Sequence, residues 1–310
     1  MQIDAPAVAR GRAFAQAGVA TSAWLPLARS RAIRPARVLG VDAPGGRLAL
    51  WRDARGTLHA VDARCPHLGA DLGQGRVEAD ALVCPFHGWA FGGDGTCLGA
   101  PGWNEAPTRR ARSVPVQERW GLVWIATGPD PADLPEPPPG DWRIVRPPSQ
   151  TIAAHPHLVI GNGLDAAHFD TLHGLEPTAE PTLSVDPPRV TLEMRGRAKS
   201  RALRRLLGGD VWLRFTTHGS HIATADVEAP VRFQALFTAT PVPEGSRTQV
   251  VLFLPRGPIQ TLRAAVGLYA LLHDDARVLE RLRFRRAFTP ADGPLQAFAE
   301  VVDGLPRGRS

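Results

Sequence analysis

Short runs in which apolar and polar residues alternate dominate the first part of the chain. Residues 47–52, 57–61 and 121–125 show this alternation between turns rich in glycine. Alternation with a period of two is typical of short, half-buried strands. The pattern predicts an all-β domain over residues 23–127.

A proline-rich run follows this domain. Residues 128–140 read Gly-Pro-Asp-Pro-Ala-Asp-Leu-Pro-Glu-Pro-Pro-Pro-Gly, which can form neither a helix nor a central strand. We interpret residues 128–148 as a connector between two domains. Residues 1–22 are predicted to be an N-terminal segment that packs on the second domain.

The second domain, residues 149–310, has longer alternating runs. The pattern predicts a strand near 151–159, a short helical patch at 163–173, and strands at 189–195, 211–217, 221–228, 232–240 and 247–254. A helical periodicity then appears between 260 and 286, with apolar or aromatic residues at Leu262, Val266, Tyr269, Leu272 and Leu279. Residues 292–302 are predicted to form a second, short helix. The predicted fold class is α+β, with an antiparallel sheet closed by one long C-terminal helix.

Composition and charge narrow the function classes. The chain has 310 residues, enough for two domains, and a net charge of +6, and almost all of its basic residues are arginines. The arginines are scattered between apolar residues, which argues against nucleic-acid binding. The positive charge could instead form a docking surface for an acidic redox partner. No run of about eighteen apolar residues indicates a membrane span. Residues 1–20 lack the apolar core of a signal peptide, so we expect a cytoplasmic protein.

Two loops each combine one cysteine with one histidine. They read Cys65-Pro-His67 and Cys84-Pro-Phe-His87. Zinc fingers usually pair the cysteines first and the histidines second, whereas one residue of each kind per loop suits a [2Fe–2S] cluster held by two thiolates and two imidazoles. A zinc ribbon is the alternative. Cys97 lies outside both loops and is predicted to be a small buried hydrophobe.

A second set of candidate ligands follows in residues 162–174. Asp165 and His168 share a helical face, but His168 and His173 lie about 140° apart on a straight helix. Both histidines can reach one metal only if the helix bulges or ends between them, and Gly174 favours an end near His173. Two histidines and one carboxylate form the facial triad of non-haem Fe(II) oxygenases.

The carboxylate of this triad is either Asp165 or a more distant residue. Asp275 lies on the apolar face of the predicted C-terminal helix, where a carboxylate needs a cation or a proton. Asp274 has Arg277 three positions on and can be solvated or paired at the surface. Asp275 is therefore the better candidate, with Asp274 as the alternative, and His273 is a weaker one.

The sequence resembles the α subunits of Rieske non-haem iron oxygenases in residues 24–29, in both cysteine–histidine loops, and in residues 162–173 and 275–280. Residues 65–72 with 84–89 are also similar to the sterol-desaturase branch. The resemblance implies an N-terminal Rieske domain and a catalytic helix-grip domain. It implies that the ligands of the cluster are Cys65, His67, Cys84 and His87. It implies that the ligands of the mononuclear iron are His168, His173 and Asp275. It makes Asp165 the acid that links His87 of a neighbouring subunit to His168 in a homotrimer, with Asn162 as a further catalytic candidate.

The resemblance also implies an activity. The chain would be the oxygenase component of a multicomponent system that uses O2 and electrons from NAD(P)H, delivered by a separate reductase directly or through a ferredoxin. The expected substrate is a small, largely apolar organic molecule, to be hydroxylated, demethylated or desaturated. The competing hypotheses are a Rieske electron carrier whose second domain is not catalytic, and a zinc-stabilised binding protein. For His155, His157, His218 and His221, core or surface placement is preferred to a place in the substrate pocket.

Overall fold

The structure, a computed structural model, describes residues 13–14, 21–201, 204, 209–228, 232–258, 261–262, 264 and 274–308. The chain forms two compact units, one centred on Ser22–Pro131 and the other on Ala132–Leu305. We call them the N-terminal and the C-terminal domain. The finer division predicted from the sequence, with a separate connector over residues 128–148, stays a prediction.

The N-terminal domain is built from short antiparallel strands. The strands are β1 (Trp24–Arg29), β2 (Val38–Ala43), β3 (Gly46–Arg52), β4 (Leu58–Asp62), β5 (Arg76–Glu78), β6 (Ala81–Val83), β7 (Ala90–Phe91), β8 (Cys97–Gly99), β9 (Val116–Arg119) and β10 (Leu122–Ala126). They form three sheets, in the orders β1-β10-β9, β2-β3-β4 and β5-β6-β7-β8.

Two separate cores hold these sheets. Leu50 on β3 packs with Val123 and Ile125 on β10 in the first core. The second core contains Trp51 together with Cys65 and Cys84. Neighbouring residues of β3 thus serve different cores, as expected of a strand whose side chains alternate between two faces.

The C-terminal domain is a nine-stranded antiparallel sheet with helices packed against it. Its strands are β11 (Arg143–Val145), β12 (Gln150–Ile152), β13 (Leu175–Pro177), β14 (Thr182–Asp186), β15 (Arg189–Ala198), β16 (Val211–His218), β17 (Ile222–Val227), β18 (Phe233–Val242) and β19 (Gly245–Leu254). Their order is β11-β19-β18-β17-β16-β15-β13, with β12 paired to β19 and β14 to β15. Three helices are described over their whole length, α1 (Pro156–Gly161), α2 (Ala166–Thr171) and α3 (Gly293–Gly304), and residues 274–279 are also helical.

One face of this sheet carries the main core of the domain. Along β15 the buried residues Val190, Leu192 and Met194 alternate with more exposed ones. They belong to the same core as Phe298 and Val302 of α3. The alternation confirms the predicted antiparallel sheet with helices against it.

Two predicted elements differ from the structure. The predicted strand over 151–159 ends at Ile152, because Pro156 occupies the first turn of α1 and His155 caps it; proline is favoured at this helical position. The predicted long helix is present at residues 274–279, but residues 282–289 are not helical. Most of its earlier part, including His273, lies outside the described residues. The predicted short helix over 292–302 corresponds to α3.

No helix in the described part of the chain is long and apolar enough to cross a membrane.

Candidate metal centres

The two cysteine–histidine loops of the N-terminal domain have the same backbone design. The carbonyl of Cys65 accepts a hydrogen bond from the N–H of Gly69 at 2.9 Å, and that of Cys84 from Gly88 at 3.2 Å. Both glycines have positive φ, 82° and 70°, a conformation that glycine adopts without steric cost. The hairpin of β5 and β6 leads directly into Cys84. Two matching turns thus present one cysteine and one histidine each.

Both cysteines of these loops are buried in the apolar core that contains Trp51. Burial raises the pKa of Cys65 to about 11, although the N–H groups of His67 and Leu68 hydrogen-bond to its sulfur and oppose this rise. A thiol with so high a pKa stays protonated at neutral pH, and metal binding is what favours the thiolate there. Backbone N–H groups aimed at the sulfur suit a ligand of an iron–sulfur cluster.

The two histidines lie beside each other at the tip of the loops. The ring centroids of His67 and His87 are 4.7 Å apart. His67 stacks on Trp89 with a centroid distance of 4.5 Å and an angle of 7°. The Nδ1 atom of His67 is buried and has no hydrogen-bond partner among the described residues. A buried ring nitrogen without a partner is an acceptor that a metal ion can use.

Two residues near these loops were not singled out from the sequence. Trp89 supports His67 by stacking, and Arg109 donates from Nη1 to the carbonyl of Pro66 at 2.9 Å. Trp89 follows Cys84 closely, so the motif itself could have indicated it. Arg109 lies 43 positions from Pro66, and no spacing in the sequence signals this contact. Cys97 is buried, and its thiol donates to the carbonyl of Gly99 at 3.6 Å.

The second candidate site lies at the end of helix α2. The helix ends at Thr171, between His168 and His173, and Gly174 follows with a φ of 61°. This is the helix end that the five-residue spacing of the two histidines requires. Their ring centroids lie 5.1 Å apart, so both rings can face one point.

Asp275 completes this site. Its Oδ1 lies 2.9 Å from Nε2 of His173 and 3.6 Å from Nε2 of His168. His168, His173 and Asp275 each offer a ligand atom within 4.8 Å of the others. Among the residues that the structure describes, they are the group of side chains spaced closely enough to share one metal ion. Asp165 is not part of it. Asp274 instead lines a surface cavity of about 260 Å³ together with Arg277 and Glu280.

Asp165 orients His168 through the backbone. Its side chain caps α2 by accepting from the N–H groups of Ala167 and His168. Its carbonyl oxygen lies 2.5 Å from Nδ1 of His168, and because a carbonyl only accepts, Nδ1 carries the proton. The Nε2 atom of His168 therefore has a free lone pair, and it is buried without a partner among the described residues. Burial lowers the pKa of His168, which keeps this lone pair available.

Apolar residues pack against the two histidines of the triad. The ring centroid of Phe169 lies 4.3 Å from that of His168 and 5.7 Å from that of His173. A side chain at Gly163 would overlap the ring of Phe215, which packs against this turn. Asn162 begins the turn, and its carbonyl accepts from the N–H of Asp165 at 3.1 Å. The two polar imidazole rings of the site thus pack against aromatic side chains.

Both groups of residues fit the metals that their donor sets suggest. Two buried cysteines and two neighbouring imidazoles suit a Rieske cluster. Two imidazoles and one carboxylate, with an unpartnered Nε2 at the centre, suit a mononuclear non-haem iron. A fold with both sites defines an iron-dependent redox protein.

Comparisons with known proteins agree with this class. Residues 23–115 match the model of the Rieske [2Fe-2S] domain. The chain is 33% identical over 246 residues to 4beta-methylsterol monooxygenase of Methylococcus capsulatus, covering 71% of this chain and 66% of that protein. It is 30% identical over 171 residues to the oxygenase component of 3-ketosteroid-9-alpha-monooxygenase of Rhodococcus rhodochrous, covering 50% of this chain and 44% of that protein. The chain thus spans less than two thirds of the length of these relatives.

The fold is shared with solved structures. The crystal structure of dicamba monooxygenase bound to dicamba superimposes with a TM-score of 0.70 at 23% identity, over 91% of this chain and 96% of that one. The chain contains a Rieske [2Fe–2S] domain and is homologous to Rieske non-haem iron oxygenases over most of its length. Its cofactors are those of the family, a Rieske [2Fe–2S] cluster and a mononuclear non-haem iron.

Proposed function

We propose that this chain is the oxygenase component of a multicomponent Rieske oxygenase. It would use O2 and electrons derived from NAD(P)H to oxidise a small, largely apolar organic molecule. The observation that carries the proposal is the group of His168, His173 and Asp275, whose ligand atoms lie within 4.8 Å of one another, in a chain that also has a Rieske domain.

The proposed ligands of the cluster are Cys65, His67, Cys84 and His87, and those of the iron are His168, His173 and Asp275. When bound, the cluster supplies electrons one at a time and the iron supplies a site for O2 activation. The protein residues hold these groups and keep water away from them. His168 offers Nε2 because Asp165 holds the proton on Nδ1, and Asp275 contributes a negative charge that balances the cation.

Asp165 is proposed to link the two metal centres of neighbouring subunits in a homotrimer. Its side chain is 42% exposed while its carbonyl contacts His168, so one residue reaches both the surface and an iron ligand. His87 is exposed on the N-terminal domain, as a histidine that meets a neighbouring subunit would be. A carboxylate between two imidazoles can accept a hydrogen bond from each.

The substrate is proposed to be apolar because the walls of the iron site are apolar. Phe169 contacts both iron-site histidines, and it belongs to a core with Phe215 and Ala225. The named activities of the relatives concern a methylsterol and a ketosteroid, so a substrate with fused rings is the first class to screen. Hydroxylation, demethylation and desaturation are all open to such a site.

A basic groove on the N-terminal domain supports docking of an acidic reductase or ferredoxin. The groove has a volume of about 810 Å³ and is lined by Arg29, Arg31, Arg34 and Arg37. One of its other lining residues, Val38, packs against the core that holds the cluster cysteines. Clustered positive charge steers an oppositely charged partner and makes the association rate fall with ionic strength. The proposed cellular location is the cytoplasm, where the free cysteines are compatible with reducing conditions.

The first experiment is to purify the protein anaerobically and measure iron, acid-labile sulfide and the EPR spectrum after reduction. About three irons and two sulfides per chain with a Rieske signal are expected. The protein is then incubated with NADH, a reductase, ¹⁸O2 and fused-ring substrates, and the products are examined by mass spectrometry. Products that carry ¹⁸O, or that have lost hydrogen or a methyl group, would support the proposal.

The alternative is a Rieske electron carrier. It predicts a reducible cluster with about two irons per chain and no second iron site that depends on His168. Zinc in place of iron, in a colourless protein, would refute both hypotheses. The His168→Ala variant separates the first two, because only an oxygenase loses turnover while the cluster signal stays.

A further inference from the structure

A second cluster of histidines lies in the C-terminal domain outside the proposed iron ligands. His157 on α1 and His221, next to β17, are both almost completely buried, at 2% and 1% exposure. Their ring centroids are 5.4 Å apart, and His155 lies 4.6 Å from His157. Nothing in the proposed oxygenase chemistry uses these rings.

His221 presents a hydrogen-bond acceptor that has no partner. Its Nδ1 lies 2.9 Å from the carbonyl oxygen of Ala239, so Nδ1 carries the proton and Nε2 has the lone pair. Burial lowers the pKa of His221 to about 4, so the ring is neutral at pH 7. Among the described residues no donor reaches its Nε2, although this atom is buried. An acceptor left in this state destabilises the fold, because it has lost its hydrogen bond to water and gained none in return.

His157 has the opposite tautomer. The N–H of Phe14 donates to its Nδ1 at 3.1 Å, so Nδ1 is the acceptor and the proton of the neutral ring is on Nε2. Burial and the neighbouring His221 lower the pKa of His157 well below 6.5, which keeps it neutral as well. The pair therefore offers one N–H donor and one lone-pair acceptor on adjacent rings.

A hydroxyl group is the simplest partner for such a pair, because it both donates and accepts. Two hydrogen bonds of about 2.8 Å through one oxygen hold two nitrogens up to roughly 5.6 Å apart, and the ring centroids of His157 and His221 are 5.4 Å apart. The surroundings are aromatic: Phe298 lies 6.3 Å from His157, and Phe14 lies 6.0 Å from it. A carboxylate would find no cation here among these neighbours, and a ketone would satisfy only His157.

The pair is also connected to the iron site through α1. Leu158, the residue after His157, packs in one cluster with Ala276 and Leu279, which follow Asp275 on its helix. The other end of α1 leads into the turn of Asn162 that precedes Asp165. A group held by His157 and His221 is therefore one helix away from the proposed iron ligands.

We infer that His157 and His221 form a recognition site for an alcohol hydroxyl on an otherwise apolar ring substrate. His221 accepts the hydroxyl proton and His157 donates to the hydroxyl oxygen. This inference rests on the proposed function, because the molecule whose hydroxyl group is bound is the substrate of the proposed oxygenase. The hydroxyl group is the polar group that orients this substrate. Both histidines are specificity residues and touch no reacting atom.

The test compares the binding of matched ligands to the fully loaded protein, without reductase and without O2. The probes are 2-naphthol against 2-methylnaphthalene, and decahydro-2-naphthol against 2-methyldecalin, each pair differing only in a hydroxyl or a methyl group. Calorimetry gives the ratio of the two dissociation constants. The wild-type protein should prefer the hydroxyl compound of at least one pair, and His221→Leu should reduce this preference about tenfold, the loss of one good hydrogen bond.

His218→Leu is the matched control. His218 is also a largely buried histidine with a pKa lowered to about 4, but its Nε2 already has a partner, Thr224, at 3.0 Å. This variant should keep the preference for the hydroxyl compound. His221→Leu should remain folded, because it removes an unsatisfied acceptor, and its melting temperature checks this. His157→Leu provides a second variant with the same expected loss of preference.

An unchanged ratio in both His221→Leu and His157→Leu would overturn the inference. Failure of every hydroxyl compound to bind the wild-type protein would do the same. Because the binding assay needs no turnover, its result does not depend on the outcome of the turnover experiment that tests the proposed function. Oxidation of a substrate by the His221→Leu protein with unchanged hydroxyl preference would refute this inference alone, whereas hydroxyl-selective binding without any turnover would refute the oxygenase proposal alone.

Discussion

The Nε2 atom of His173 lies 2.9 Å from Oδ1 of Asp275, although 102 positions separate the two residues along the chain. The same oxygen lies 3.6 Å from Nε2 of His168. Two ring nitrogens and one carboxylate oxygen thus converge where helix α2 ends beside residues 274–279. The long separation means that the group forms only when two segments from opposite ends of the C-terminal domain come together.

Replacing His168 should remove one iron per chain and leave the cluster intact. The His168→Ala variant loses the unpartnered Nε2 that points to the centre of the group, and two remaining ligands hold a divalent metal far more weakly. Iron analysis should fall from about three to about two per chain, with sulfide unchanged. His218→Ala, on the same domain but outside the group, should keep all the iron. Unchanged iron in His168→Ala would show that the metal is held elsewhere.

The two kinds of cysteine should behave differently on substitution. Cys84→Ser should abolish the Rieske EPR signal and remove about two irons and two sulfides per chain, because a serine oxygen is a poor substitute for a thiolate ligand. Cys97→Ser should keep the signal, since the Cys97 thiol only donates to the Gly99 carbonyl. Its cost is the burial of a hydroxyl in the core, seen as a lower melting temperature. Equal loss of the cluster in both variants would contradict the proposed ligand set.

The sheet of the C-terminal domain was predictable because its strands bury one face and expose the other. In β15, Val190 and Leu192 point to the core while Arg189 and Glu193 do not, and this alternation is present in the sequence itself. The α1 helix was missed because its apolar residues, Leu158 and Ile160, follow a strand directly, and a short apolar run can belong to either element. Only Pro156 signalled a helix start.

The candidate site could be predicted only in part. Asp275 was preferred over Asp274 because of its apolar helical neighbours, and the structure brings it to the two histidines. The tautomer of His168 depends on the carbonyl of Asp165, a backbone contact that residue types do not encode. The pairing of His157 with His221 depends in the same way on how α1 lies on the sheet, so no spacing in the sequence could have indicated it.

Asp165 should have two separable roles, one in stability and one in turnover. Its side chain caps α2, and Asp165→Ala should therefore lower the free energy of unfolding by about 1 kcal/mol. Asp165→Asn retains a capping oxygen and should keep both the stability and the iron content. If the carboxylate links the two centres, Asp165→Asn should still slow product formation about 10- to 100-fold, the range for partners of metal ligands. Full activity of the Asn variant, measured with a reducible cluster, would refute the bridging role.

The buried histidines of the C-terminal domain should make the protein less stable as the pH falls below neutrality. Burial lowers the pKa of His221 to about 4, whereas the unfolded chain keeps a value near 6.5. Between these two values the unfolded state binds a proton that the folded state does not, so stability rises with pH and is complete above about pH 6.5. His221 alone should cost about 2 kcal/mol between pH 7 and pH 5.

Urea unfolding of wild type and His221→Leu at pH 7 and pH 5 measures this contribution, because the titration of groups that do not interact with His221 cancels in the difference. The stability advantage of the variant should grow by about 2 kcal/mol from pH 7 to pH 5. Thr240→Val, which replaces a buried and unpartnered hydroxyl on the neighbouring strand β18, carries no titrating group and should show the same difference from wild type at both pH values. A pH-independent difference for His221→Leu would mean that the folded protein binds a proton at His221 as readily as the unfolded chain does, so that burial does not lower the pKa of this ring.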